Sequence, residues 1–218
     1  MKPYCAARPA VRKRNGQFKT SCDMQKGASL IVSLLMLIAV MLLGLSATQI
    51  ALQSEKASRN DRDRQIAFQA AEAALLDAEM DIDDSPDPAR SRSVIFARDN
   101  TYAFIAGCGQ GEGNPFLGLC AQAAEGAPPP WLTVDLLNHT PSTASVPFGK
   151  FTGQTFQVGK GSLPAKLPRY IIELMAYNAP GESAEQASRS HFYRVTSVGF
   201  GMRDTTLVVL QSSYKKRD

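Results

Sequence analysis

The chain has 218 residues, 44 % hydrophobic and 20 % charged, which is enough for one sizeable core. Its net charge of +4 is a property of one end: residues 1–27 hold seven basic residues (Lys2, Arg8, Arg12, Lys13, Arg14, Lys19, Lys26) against Asp23, leaving 17 basic and 19 acidic residues elsewhere. This excludes a basic nucleic-acid-binding surface and points to topology, because Lys and Arg beside a membrane helix stay on the cytoplasmic side.

Residues 1–27 show no periodicity and read as a basic leader, with Met24 as an alternative start. Residues 28–52, ASLIVSLLMLIAVMLLGLSATQIAL, then run without a charge, a proline or an aromatic side chain. As an α-helix these residues extend about 37 Å, enough to cross a hydrocarbon core of about 30 Å. A cleaved signal peptide and a buried core helix are the alternatives, but a signal h-region is usually only about 7–15 residues long.

No helix breaker follows. Glu55-Lys56-Ala57-Ser58-Arg59 continues the pattern, and Ser85-Pro86-Asp87-Pro88 ends it. One helix is therefore expected over 28–84, with 28–52 as its transmembrane half. In the second half Phe68, Ala71, Leu75, Ala78 and Ile82 recur at spacings of three and four, which predicts an apolar packing stripe. Arg62, Gln65, Gln69, Glu72 and Glu79 are expected on the opposite side.

Residues 85–218 read as a β-rich globular domain, periplasmic by the charge asymmetry. Short strands are expected at 94–98, 102–106 and 151–158, and a turn of helix at 134–137. The strongest strand signals are 169–177, 191–200 and 205–213, the last two joined by Gly201-Met202-Arg203-Asp204. The predicted fold class is α+β, a long N-terminal membrane-spanning helix packed on a C-terminal antiparallel sheet.

Cys5 and Cys22 precede the membrane run, whereas Cys108 and Cys120 follow it, on the side where disulfides persist. A Cys108–Cys120 bridge is expected, the alternative being two unpaired buried thiols. No chemistry-bearing constellation is visible. His139 and His191 lie far apart with no cysteine or carboxylate at ligand spacing, so neither a metal site nor histidine catalysis is expected. Gly107-Cys108-Gly109-Gln110-Gly111 lacks the lysine and helix of a phosphate loop. The run from Asp81 fails as a calcium loop, with Pro86 at the sixth position and Arg92 at the twelfth. The expectation is a protein with no cofactor and no enzymatic activity.

A basic leader ending in Gly27, an uncharged run from Ala28, one unbroken helix and a late cysteine pair resemble type IV pilins. The segment GASLIVSLLMLIAVMLLGLSATQIALQSEKASRNDRDRQIAFQAAEAALLDAE is similar to the N-terminal segment of PilX-type minor pilins, and FYRVTSVGFG…TTLVVLQSSY to their closing strands. The resemblance covers about half the chain; residues 90–165 match nothing. It implies leader cleavage by prepilin peptidase between Gly27 and Ala28, and N-methylation of Ala28. It further implies an inner-membrane location before assembly and a pilus location afterwards, in a system serving adhesion and twitching motility. The implied work is to start or cap a type IV pilus, with other minor pilins, the major pilin and a large tip adhesin as partners. The chain departs from major pilins at the fifth mature position, where Val32 replaces their glutamate. That carboxylate pairs with the N-terminal amine of a subunit already in the fibre, so Val32 favours a place at or near the tip. Two other readings fit the same residues: a single-pass membrane-anchored periplasmic binding or receptor module, and a tip pseudopilin of a type II secretion system.

Overall fold

The computed structural model describes residues 28–97, 100–177 and 190–216. The chain divides into two units, Met1–Leu52 and Gln53–Asp218. The described part of the first is wholly helical. The helix, α1, runs from Ala28 to Ile82. It ends just ahead of Ser85-Pro86, where the missing proline N–H forbids continuation.

The second unit holds a sheet of five strands: β1 (Leu119–Ala121), β2 (Val146–Pro147), β3 (Arg169–Tyr177), β4 (Ser190–Phe200) and β5 (Leu207–Tyr214). A short helix α2 spans Pro130–Thr133. The main order is β1-β3-β4-β5, with β2 also beside β3. The expected meander is present in β3, β4 and β5, which pair antiparallel as Ile172↔Val195 and Val198↔Val209. The sheet as a whole is mixed, because β1 runs parallel to β3. A parallel pair needs a long crossover, and residues 122–168 supply it.

Three weaker strand expectations are not met. Residues 93–96 form a 3-10 turn, Ile105 makes an isolated bridge to Cys120, and residues 151–158 are irregular. The extra turn of helix lies at Pro130–Thr133, one turn before the expected 134–137, because Pro130 opens it with a φ preset for helix.

The first five residues of β3, 169–173, are buried on both faces. Tyr170 and Ile172 meet Ala74, Ala78 and Ile82 of α1, together with Tyr193, Val195 and an aromatic group of Phe96 and Phe104. Phe96 and Phe104 lie 5.4 and 5.9 Å from the Tyr193 ring. On the other face, Ile171 packs with Val198, Phe200, Leu136 and the Cys108–Cys120 disulfide, with Trp131 against the cluster.

Helix and sheet touch through small residues. A Cβ on Gly199 of β4 would overlap the carbonyl oxygen of Ala67 and the nitrogen of Ala71. Ser197 Oγ donates to the Ala71 carbonyl at 2.9 Å. Backbone therefore lies nearly on backbone, which only glycine and alanine permit.

This close approach keeps most of the expected stripe inside and turns one end of it out. Ala71, Ala78 and Ile82 are buried, Leu75 is half-buried against the core, and Phe68 is 43 % exposed. The inward positions are Asp63, Ala67, Ala70, Ala74, Asp77 and Asp81, together with the stripe residues Ala71, Ala78 and Ile82. A phenyl ring cannot enter a contact of backbone on Gly199, so Phe68 turns outward.

Candidate assembly surface on the long helix

Residues 28–52 present an apolar cylinder. Every one of them is exposed, and Val32 is 56 % exposed. The segment is long and apolar enough to cross a membrane, with a mean hydropathy of 2.7 in its 18-residue window. Three of its four hydroxyls suit apolar surroundings, because they are satisfied inside the helix. Ser33 donates to the Leu30 carbonyl, Ser46 to Leu42 and Thr48 to Leu45, at 2.8 to 2.9 Å. The first charge beyond the run, Glu55, pairs with Arg59 one turn on. Ala28 opens the described helix, while Gly27 lies outside the described residues.

The second half of α1 holds the domain through three buried carboxylates, none of which belonged to the predicted stripe. Asp63 gathers the β4–β5 connection. It accepts from the Met202 N–H, from Arg203 Nε at 2.9 Å and from Thr206 Oγ1 at 2.7 Å. Burial pushes its pKa up, but these bonds outweigh burial and hold it below the ordinary aspartate value.

Asp77 accepts from the Gly149 N–H at 2.8 Å and from the Thr152 hydroxyl, tying residues 149–152 to the helix. Here burial wins and raises the carboxyl to about 6, against the lowering by Thr152 and Gly149. Asp81 takes a two-nitrogen contact from Arg92, at 2.9 Å from Nε and 2.6 Å from Nη2, and a 2.8 Å bond from the Tyr170 hydroxyl. Arg92 Nη1 donates onward to the Pro115 and Leu117 carbonyls, which anchors the base of the disulfide loop. Arg92 is itself buried, with its guanidinium 3.6 Å from the centre of the Phe151 ring. A buried ion pair persists only when its remaining donors are bonded, as they are here.

Cys108 and Cys120 form the disulfide. Two of the glycines between them, Gly109 and Gly118, serve close approach. A Cβ on Gly109 would overlap the Phe116 carbonyl, and the Gly109 N–H donates to the Leu119 carbonyl at 3.0 Å.

The acidic run after residue 80 is divided among separate partners. Asp81 goes to Arg92, Asp83 to the Tyr214 hydroxyl and Asp87 to Arg90. Among the described residues no group of three or more histidine, cysteine or acidic side chains could hold a metal ion. His139 lies 3.5 Å from Arg169 Nη1, against Phe200. Burial, then Arg169 and Lys166, lower its pKa. The three aspartates were findable in the sequence. Asp63, Asp77 and Asp81 continue the alanine positions 67, 70 and 74 at spacings of four and three, but a search for apolar residues passes over them.

Residues 26–76 match the PilX N-terminal family, and residues 116–216 match the family described as type IV pilus assembly protein PilX C-term. The second match reaches well into the region 90–165 that the closing strands alone left without a relative. No curated protein and no solved structure matches the chain. The two family matches cover both the exposed apolar helix with its alanine face and the strands on which that face lies, and the chain belongs to the PilX family of type IV pilus assembly proteins.

Proposed function

We propose that this chain is a non-enzymatic minor pilin that helps initiate and cap type IV pili, at or near the tip. Prepilin peptidase cleaves it between Gly27 and Ala28, and the new Ala28 amine is N-methylated. Before assembly it sits in the inner membrane with residues 85–218 in the periplasm. Afterwards it stands with other minor pilins above the major pilin and beneath a large tip adhesin.

The observation that carries the tip reading is Val32. A carboxylate in an apolar helix bundle costs several kcal/mol unless paired. The Ala28 amine has no partner within its own chain, because the first carboxylate, Glu55, lies about 40 Å further along the helix. A subunit inside the shaft needs a fifth-position carboxylate to answer the amine of its neighbour. The first subunit has no such neighbour, and Val32 then costs nothing.

Two substitutions test the reading in cells that make the pilus. Gly27→Val should leave an uncleaved, slower-migrating precursor, and normal maturation would rule out the pilin processing route. Val32→Glu should leave the protein's abundance in sheared pili unchanged or lower. Clear enrichment of the glutamate variant would overturn the tip placement.

A further inference from the structure

The two edges of the sheet are finished differently. At one edge β1 is sealed by its own chain: the Ala121 N–H donates to the Ile105 carbonyl at 2.9 Å, and the Leu119 carbonyl accepts from Gly109 at 3.0 Å. At the other edge stands β5, LVVLQSSY, eight residues without charge, glycine or proline and in unbroken register with β4.

The pairing phase shows which groups β5 leaves open. The Gly201 N–H donates to the Thr206 carbonyl at 2.8 Å, so Thr206 and every second residue after it face β4. The N–H and C=O groups of Leu207, Val209, Gln211 and Ser213 therefore point away from the sheet. Among the described residues none bonds to them. The side chains of the same four residues are exposed on the face away from α1, with Leu207 39 % and Val209 52 % exposed. Natural sheets blunt such an edge with an inserted charge, a proline or a bulge. This strand has none of them, and its first charge, Lys215, falls just beyond its end.

We infer that β5 is a docking edge that accepts an extended strand from a different subunit of the pilus. This rests on the proposed function only in placing the chain among other subunits. The recognised segment is apolar where it passes Leu207 and Val209, small and polar beside Gln211 and Ser213, and acidic where it reaches Lys215. Charge and side-chain pattern argue against a second copy of this chain as the occupant. Parallel self-pairing sets Lys215 beside Lys215, and antiparallel self-pairing over the full strand sets apolar Leu207 and Val209 opposite polar Ser213 and Gln211. Main-chain bonds hold the added strand, and the side-chain row with its terminal charge selects it.

The test uses the full chain in detergent micelles and an acetylated eight-residue peptide of alternating threonine and valine that ends in glutamate. A second peptide ends in lysine instead. Amide exchange at Leu207, Val209, Gln211 and Ser213 should slow at least about tenfold at saturating peptide, with no comparable change at exposed amides elsewhere. Val209→Pro removes one outward donor and spares every bond to β4, so it should weaken binding about tenfold or more while the thermal transition stays in place. If that variant melts early, Val209→Lys, which places a charge on the edge, takes its role and should also abolish the protection. The lysine-ended peptide should bind several-fold more weakly. Unchanged exchange at the four amides, equal binding by the edge variants, or equal binding of both peptides would overturn the inference. Protection of the same amides on concentrating the chain alone would overturn the choice of occupant. None of these outcomes touches the maturation and pilus-abundance tests of the proposed function.

Discussion

The two halves of α1 invert the usual relation between hydrophobicity and burial. Residues 28–52 include its most apolar side chains, and all are exposed. Residues 53–82 bury a face made of alanines and three aspartates, with Ile82 at its end. A helix that packs on its own domain can do so with little bulk, provided every buried carboxylate is answered. A helix that shows bulk everywhere has its packing partner outside the chain. The first half is thus shaped by lipid or by other subunits, and the second by Gly199, Arg92, Tyr170 and Thr206.

The largest expected effect is on the answered carboxylates. Arg92→Met leaves Asp81 buried without its cation and frees the Pro115 and Leu117 carbonyls, and should cost about 3–5 kcal/mol in chemical denaturation of the domain. Leu42→Ala, a far more hydrophobic loss in the first half, should leave the same transition where it was. A comparable shift in both would erase the difference between the halves.

Next comes the contact of backbone on backbone. Gly199→Val must push β4 away from Ala67 and Ala71, at a cost of about 1–3 kcal/mol or more. An unmoved midpoint would show that helix and sheet do not meet so closely.

The third effect is a pH dependence of opposite sign at two aspartates. Asp77 has a folded pKa of about 6 against an ordinary 3.8, so the folded state binds more protons between those values. Its contribution makes stability rise as pH falls from 6 towards 4, by at most about 1.4 kcal/mol per pH unit. Asp63 is held below 3.8, so its contribution is present above that pH and fades as acid protonates the folded form. Asp77→Asn should remove the rise, and Asp63→Asn should remove part of the loss below pH 4. Denaturation midpoints across pH 3–7 check both signs.

The smallest effect is at Phe68. Because its ring is turned outward, Phe68→Ala should change domain stability by less than about 1 kcal/mol. A loss of 3 kcal/mol or more, the range for a core phenylalanine, would place Phe68 in the packing face.

Much of this arrangement was legible in the residues. The apolar run, the helix end at Pro86 and the last three strands each carry a strong local signal, and the cysteine pair followed from its side of the membrane. Of the stripe, Ala71, Ala78 and Ile82 lie buried and Phe68 does not, because periodicity locates a stripe and assumes that burial follows apolarity. Asp63, Asp77 and Asp81 break that assumption, since each is bonded by residues 70 or more positions away or by Arg92 across the Pro86 turn. The parallel pairing of β1 was equally invisible. Three residues carry no periodicity, and their partner lies beyond a long crossover. The open edge of β5 was present in the sequence as an uncharged strand, but only the topology makes it an edge.

The central claim is that the exposed half of α1 enters the fibre once, at its tip. Quantitative mass spectrometry of sheared pili sorted by length tests it most directly. The account predicts the same very low number of copies in short and long fibres, with no increase for Val32→Glu. A copy number that grows in proportion to fibre length would place the subunit along the shaft and contradict it.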